Sequence, residues 1–91
     1  MYTITTSDRF LRKSRRFFRQ HPDLMNRFRE VAGALRENPF QPRLRLHQLK
    51  AQLADLHAVS LTYEYRVVLT LKITEREIIL LDIGSHDEVY R

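Results

Sequence analysis

The stretch that decides the fold is YRVVLTLKITEREIILLDIG, residues 65–84. From Tyr65 to Ile73, the apolar residues Leu69, Leu71 and Ile73 alternate with Arg66, Val68, Thr70 and Lys72. That period of two is the mark of a strand. Thr74 to Glu77 are all polar and predict a turn. Ile78 to Ile83 is apolar on both faces, as in a strand with neighbours on either side. Just upstream, residues 57–64 alternate Val59, Leu61 and Tyr63 against Ala58, Ser60 and Thr62. Three such runs with short links predict an antiparallel meander. Side chains alternate along a strand, so Arg66 points away from Leu69 and Leu71. If those leucines lie under helices, the arginine is on the uncovered face.

Helices are available on the N-terminal side. Tyr2 to Thr5 predicts a short first strand, and Thr6, Ser7 and Asp8 supply groups suited to capping a helix. Phe10, Leu11, Ser14, Phe17 and Phe18 share one face of a helix over about residues 7–20. Its other positions are cationic, with Arg9, Arg12, Lys13, Arg15, Arg16 and Arg19. Pro22 and Asp23 suit the start of a second helix. Its apolar stripe runs Leu24, Phe28, Val31, Ala32 and Leu35, and Asn38-Pro39 ends it. Residues 47–56, HQLKAQLADL, give no clear period and read as a loop or short turn. The predicted order is β-α-α-β-β-β, an α+β fold with a helix hairpin on one face of a small antiparallel sheet.

The 91 residues suffice for one domain, 1–91, with a modest core. There is no cysteine, which excludes disulfides and thiolate chemistry and fits a reducing cytoplasm. The sequence shows no signal-peptide pattern and no apolar run long enough to span a bilayer. The expectation is a cytoplasmic protein that does not engage membranes. Charge is uneven: residues 1–50 carry 12 Lys and Arg against 4 acids, and residues 51–91 carry 4 against 7. Such an excess suits an anionic partner (RNA, DNA, a ribosome or an acidic protein) or is simply a solvated basic surface.

Several side chains are candidates for chemistry. Arg66, after the aromatics of YEYR, is suited to grip a phosphate bidentately, or else to pair with Glu64 or Glu88. His86 follows the last strand, where an imidazole can move a proton near neutral pH or remain an inert strand-end residue. Tyr90 lies four residues on and shares a side with His86 if residues 87–91 turn helically. It would then stack on a base, lend its hydroxyl to a phosphate, or anchor the chain end. His47, which alternates away from Leu46, is a possible second proton donor. The four histidines, His21, His47, His57 and His86, lack metal-ligand spacing, so no metal or cofactor is expected. No glycine-rich phosphate loop and no nucleophile elbow is present.

The ending IGSHDEVYR (residues 83–91), the earlier YRVVLTL (65–71) and the lead-in RLHQL (45–49) together resemble the RelE/ParE superfamily of type II toxin–antitoxin toxins. The likeness is strongest to its YafQ-like and RelE/StbE branches and spans nearly the whole chain. It implies a microbial RNase-like fold and an mRNA interferase that cleaves mRNA on the ribosome without a metal. It also implies a cognate antitoxin that holds the toxin inactive; free, the chain is expected to be a monomer with an apolar groove for an antitoxin segment. By position, Arg66 matches the arginine that stabilises the scissile phosphate, His86 the C-terminal histidine of proton transfer, and Tyr90 the supporting aromatic. His47 falls roughly where the YafQ-like branch has another catalytic histidine, and Glu64 is an alternative acid–base partner. Arg12, Lys13, Arg16, Arg19, Arg45 and Lys50 are the expected RNA-phosphate contacts.

The sequence also departs from the pattern. Ser60 and Thr62 stand where RelE carries lysines, and the Asp-Trp pair of the YafQ-like branch is missing near Tyr65-Arg66. No one member's acid–base assignment therefore transfers. ParE members poison DNA gyrase and lack the ending histidine, so His86 favours the nuclease. The rival expectations are a ParE-like gyrase inhibitor and a non-catalytic RNA-binding module.

Overall fold

The computed structural model describes residues 1–49 and 56–90. The first strand, β1, is Thr3–Thr6, and helix α1 is Asp8–Gln20. Ser7 caps α1: its side-chain oxygen accepts from the Phe10 N–H at 3.0 Å, satisfying one of the donors a helix start leaves open. Pro22–Leu24 makes one 3-10 turn before α2, Met25–Glu37, which ends at Asn38. The remaining strands are β2 (His47–Gln48), β3 (His57–Ser60), β4 (Tyr65–Lys72) and β5 (Glu77–Ser85). A helical turn, α3, follows at His86–Val89.

Among the described residues the strands form one sheet, in the order β1-β5-β4-β3-β2. The meander β3-β4-β5 is antiparallel, as the alternation predicts. Two features lie outside that expectation. β1 joins the far edge of β5 in parallel, with Ile4 opposite Ile78, so the sheet is mixed. His47–Gln48, read as loop, is a two-residue strand on β3, with His47 opposite Ala58. Both depend on backbone pairing with distant partners, and two residues are too few to show a period. The rest of the ambiguous segment, 50–55, lies outside the described residues.

α1 and α2 cover one face. Phe10, Phe17, Val31 and Leu35 pack there against Val59, Val67, Leu69, Ile78, Leu80 and Ile83. Phe28 ties the helices together, with its ring 6.0 Å from Phe10 and 5.3 Å from Phe18. Each fully buried Leu, Ile, Val or Phe is worth about 1.5–3 kcal/mol of transfer free energy, so this face carries most of the stability. The opposite face holds a much smaller cluster of Leu49, Ala58, Val68 and Val89, with Tyr90 at its margin. Val67, Leu69 and Leu71 belong to the covered face, so Arg66 falls on the other, as the alternation requires.

A bulge interrupts β4–β5 pairing near Val68 and Leu69, where the partner jumps from Asp82 to Leu80. It re-aims Asp82. One carboxylate oxygen accepts from the Ile83 N–H at 2.8 Å and meets Lys13 Nζ at 2.6 Å, while the other lies 3.5 Å from Arg9 Nη2. α1 is thus fastened across β5 by charge as well as by phenylalanines. Among the described residues, no helix is long and apolar enough to cross a membrane.

Candidate active site on the uncovered face

The cleft is built where two local structures meet. The first is the bend at residues 61–64 that links β3 to β4. The alternating pattern of 57–64 predicts strand throughout, yet β3 stops at Ser60. Hydrogen bonding close in sequence wins there. Thr62 Oγ1 accepts from the Glu64 and Tyr65 N–H groups at 3.2 and 3.1 Å, and the N–H groups of Leu61 and Thr62 both reach the Tyr65 carbonyl. Arg66 completes the bend. Its Nη1 donates to the carbonyls of Thr62, Tyr63 and Tyr65 at 2.8, 2.9 and 3.1 Å.

The second structure is α3. Ser85 caps it in a reciprocal box: the Ser85 hydroxyl accepts from the Glu88 N–H, and the Glu88 carboxylate accepts from the Ser85 N–H at 3.0 Å. The His86 N–H donates to the Glu64 carbonyl at 3.2 Å, which joins turn to bend. The result is a cleft of about 640 Å³ lined by Tyr63, Glu64, Arg66, Ser85, His86 and Asp87. The guanidinium and the imidazole therefore share one solvent-open site. His86 is exposed, with Nδ1 in loose contact with Asp87 at 3.5 Å.

Tyr90 and His47 support that cleft from one side. One turn after His86, Tyr90 sets its ring edge-on to the imidazole, 4.2 Å between centroids. Its hydroxyl lies 2.6 Å from His47 Nε2, and His47 Nδ1 lies 2.9 Å from the Arg45 carbonyl oxygen. A carbonyl only accepts, so in neutral His47 the proton sits on Nδ1. Nε2 must then accept, and the Tyr90 O–H donates to it. Arg45, whose φ of 53° is left-handed, is the residue that presents this carbonyl. Burial raises the Tyr90 pKa above its ordinary value, and the nearby Arg66 guanidinium opposes this with the smaller effect. Tyr90 is therefore a neutral donor at neutral pH.

The chain matches no protein-family model and no curated protein. Solved structures do match. A metal-bound toxin from Helicobacter pylori is 31% identical, with 98% of this chain and 99% of that chain covered and a TM-score of 0.80. The chain belongs to the RelE/ParE superfamily of toxin–antitoxin toxins. YafQ from E. coli shares the fold at 15% identity, TM-score 0.82, with both chains covered fully. Its complex with DinJ gives the same picture at 15% identity, full coverage of both chains and a TM-score of 0.81. The RelE-like α+β architecture expected from the resemblance is the one observed.

Within this RelE/ParE chain, the five expected catalytic residues converge. Arg66, His86 and Glu64 line the cleft, Tyr90 packs on His86, and His47 is bonded to Tyr90. The expected RNA contacts divide. Arg12, Lys13 and Arg16 line a neighbouring hollow of about 560 Å³ that shares Glu64 and Ser85 with the cleft. Lys13 is already committed to Asp82 there. Arg19 lies instead on the rim of an apolar groove of about 910 Å³ between the helices and β1. Arg45 is exposed and contributes its carbonyl to His47, and Lys50 lies outside the described residues. The other two histidines stand elsewhere. His21 packs between Phe17 and Tyr65, and His57, opposite Leu69 in the ladder, has its Nδ1 buried without a hydrogen bond. Among the described residues, no three His, Cys, Asp or Glu gather as a metal site. Tyr63 also lines the cleft, a role that the strand pattern of 57–64 hides; the cue in the sequence is its place in YEYR, three residues before Arg66.

Proposed function

We propose that the protein is the toxin of a type II toxin–antitoxin pair and a ribosome-dependent mRNA endoribonuclease. The observation that carries this reading is the shared cleft of Arg66 and His86, open to solvent and flanked by Arg12 and Arg16. Cleavage would proceed by attack of the RNA 2′-OH on the adjacent phosphorus, with expulsion of the 5′-oxygen. The products are a 2′,3′-cyclic phosphate and a 5′-hydroxyl. Arg66 offsets the charge gathered on the phosphorane; a well-placed donor of this kind is typically worth roughly 10²–10³ in rate. Because Arg66 Nη1 is held by three carbonyls, the guanidinium is oriented before the substrate arrives.

The proton inventory favours one assignment. Both His47 nitrogens are engaged, by Tyr90 and by the Arg45 carbonyl. Glu64 is exposed in the cleft. Glu64, which lines the cleft while its carboxylate also meets the Tyr65 side chain, is assigned as the base that takes the 2′-OH proton, and His86 as the acid that delivers a proton to the leaving 5′-oxygen. Tyr90 sets the His86 ring, and His47 sets Tyr90. The ribosome supplies what so small a site lacks, a substrate strand held in line for attack. Arg12 and Arg16 contact RNA phosphates, and this contribution weakens as salt rises.

YafQ is known in complex with DinJ. By analogy this chain has an antitoxin, which docks an amphipathic segment in the apolar groove rimmed by Arg12, Arg15 and Arg19. The deciding experiment is to supply the chain to ribosomes programmed with mRNA and to map the RNA ends. New 5′-hydroxyl ends are expected from the parent chain and not from His86→Ala. Folded parent protein that leaves mRNA intact rejects the reading, and DNA breaks in its place would indicate a gyrase-directed toxin.

A further inference from the structure

We propose that Tyr63 is a nucleobase platform, stacking on a base of the RNA strand whose phosphate is held at Arg66. This rests on the nuclease reading of the cleft and adds to it a binding role for a residue outside the proposed acid–base set. Tyr63 is 95% exposed, more than any other large apolar or aromatic side chain among the described residues. The ring stands among the residues that line the cleft beside Arg66 and His86.

The ring is fully solvated, yet the backbone beneath it is tightly held. Arg66 Nη1 bonds to the carbonyls of Tyr63 itself and of Thr62, and Thr62 Oγ1 receives the N–H groups that follow. A ring with two side-chain torsions on an anchored bend loses little freedom when something stacks on it. The same guanidinium that faces the cleft also fixes the residue bearing the ring. Base and phosphate would be gripped by one mechanical unit. The chemistry of the rim fits a nucleotide: an aromatic face for the base, a guanidinium for the phosphate and an imidazole beyond it. Every base has a π-face, so the platform contributes affinity without strict sequence choice.

The chain contains no tryptophan, so Tyr63→Trp installs a single indole as reporter. The probe is a short single-stranded oligonucleotide with 2′-O-methyl groups, which cannot undergo the 2′-OH attack. Addition of the probe is expected to quench the indole, and Tyr63→Phe, which keeps the ring, is expected to bind the probe more tightly than Tyr63→Ala does. Tyr63→Ala should bind roughly 5- to 150-fold more weakly, the range measured for loss of one stacked base. Its loss on programmed ribosomes should fall on KM more than on kcat, because stacking holds substrate and transition state alike. Parent-like binding and cleavage by Tyr63→Ala would overturn the proposal, as would an indole indifferent to a probe that Arg66→Ala no longer binds. Quenching together with a parent chain that cleaves nothing would uphold the platform and remove the nuclease.

Discussion

The two faces of the sheet have been built to opposite specifications. Under α1 and α2, Val59, Leu69, Ile78 and their neighbours are sealed from water. Across the same strands, four buried residues among those described make a small apolar foothold, and around it stand His47, Glu64, Arg66, His86 and Tyr90, joined by polar contacts at the surface. Adjacent residues of β4 serve the two sides: Val67 packs the core while Arg66 lines the cleft. A strand is suited to this because its period of two separates stability from chemistry one residue at a time. The division has one exception. Arg66 lies on the functional face, yet it also ties down the bend, so it belongs to both.

The division is sharpest where the chemistry is lost outright. His86→Ala should lower the cleavage rate on programmed ribosomes by roughly 10²–10⁴, the usual worth of a positioned acid or base, with the melting temperature close to the parent's. The mirror experiment is Leu69→Ala. It should cost about 2–5 kcal/mol in denaturant unfolding, with cleavage per folded molecule unchanged. If that variant loses activity beyond its unfolded fraction, the faces are not independent. Arg66→Ala tests the exception: cleavage should fall roughly 10²–10³, and stability by about 1–3 kcal/mol as the bend's carbonyls lose their donor. An Arg66→Ala protein as stable as the parent would show that the bend holds itself.

Smaller effects probe the foothold. Tyr90→Phe keeps the ring against His86 and removes the bond to His47, so stability should drop by about 0.5–1.5 kcal/mol and cleavage should fall modestly. The same variant carries a pH signature. Burial raises the Tyr90 pKa above the ordinary 10.0, so the folded state favours the neutral phenol. That stabilisation is complete below pH 10.0 and is lost as pH rises through the folded value. Alkaline melting curves should therefore decline less steeply for Tyr90→Phe. Tyr65, raised by burial and by Glu64, adds to the same decline and remains in the variant as an internal reference.

Much of the site was legible because its parts obey local rules. The alternation of Leu69 and Leu71 assigned Arg66 to the uncovered side, and the four-residue step from His86 to Tyr90 brought those rings together once Ser85 capped a turn. The interval at 61–64 misled for an equally local reason. A strand pattern continued through it, but the Thr62 hydroxyl offered the backbone a competing set of hydrogen bonds, and the chain bent. Tyr63 accordingly looked like a strand residue and is instead the exposed tip of that bend.

By itself, the sequence determined the elements and their faces: two amphipathic helices, a meander of alternating strands, a basic N-terminal half and a histidine just beyond the last strand. Those follow from propensity and periodicity, which act over a few residues. Tertiary structure alone decided that β1 joins β5 in parallel, that Asp82 is turned by a bulge to clamp α1, and that His47 reaches Tyr90 across 43 positions of chain. Each of these depends on which backbone groups and charges meet after the chain has collapsed. No local pattern encodes that meeting, because its free energy appears only once the distant partner is in place.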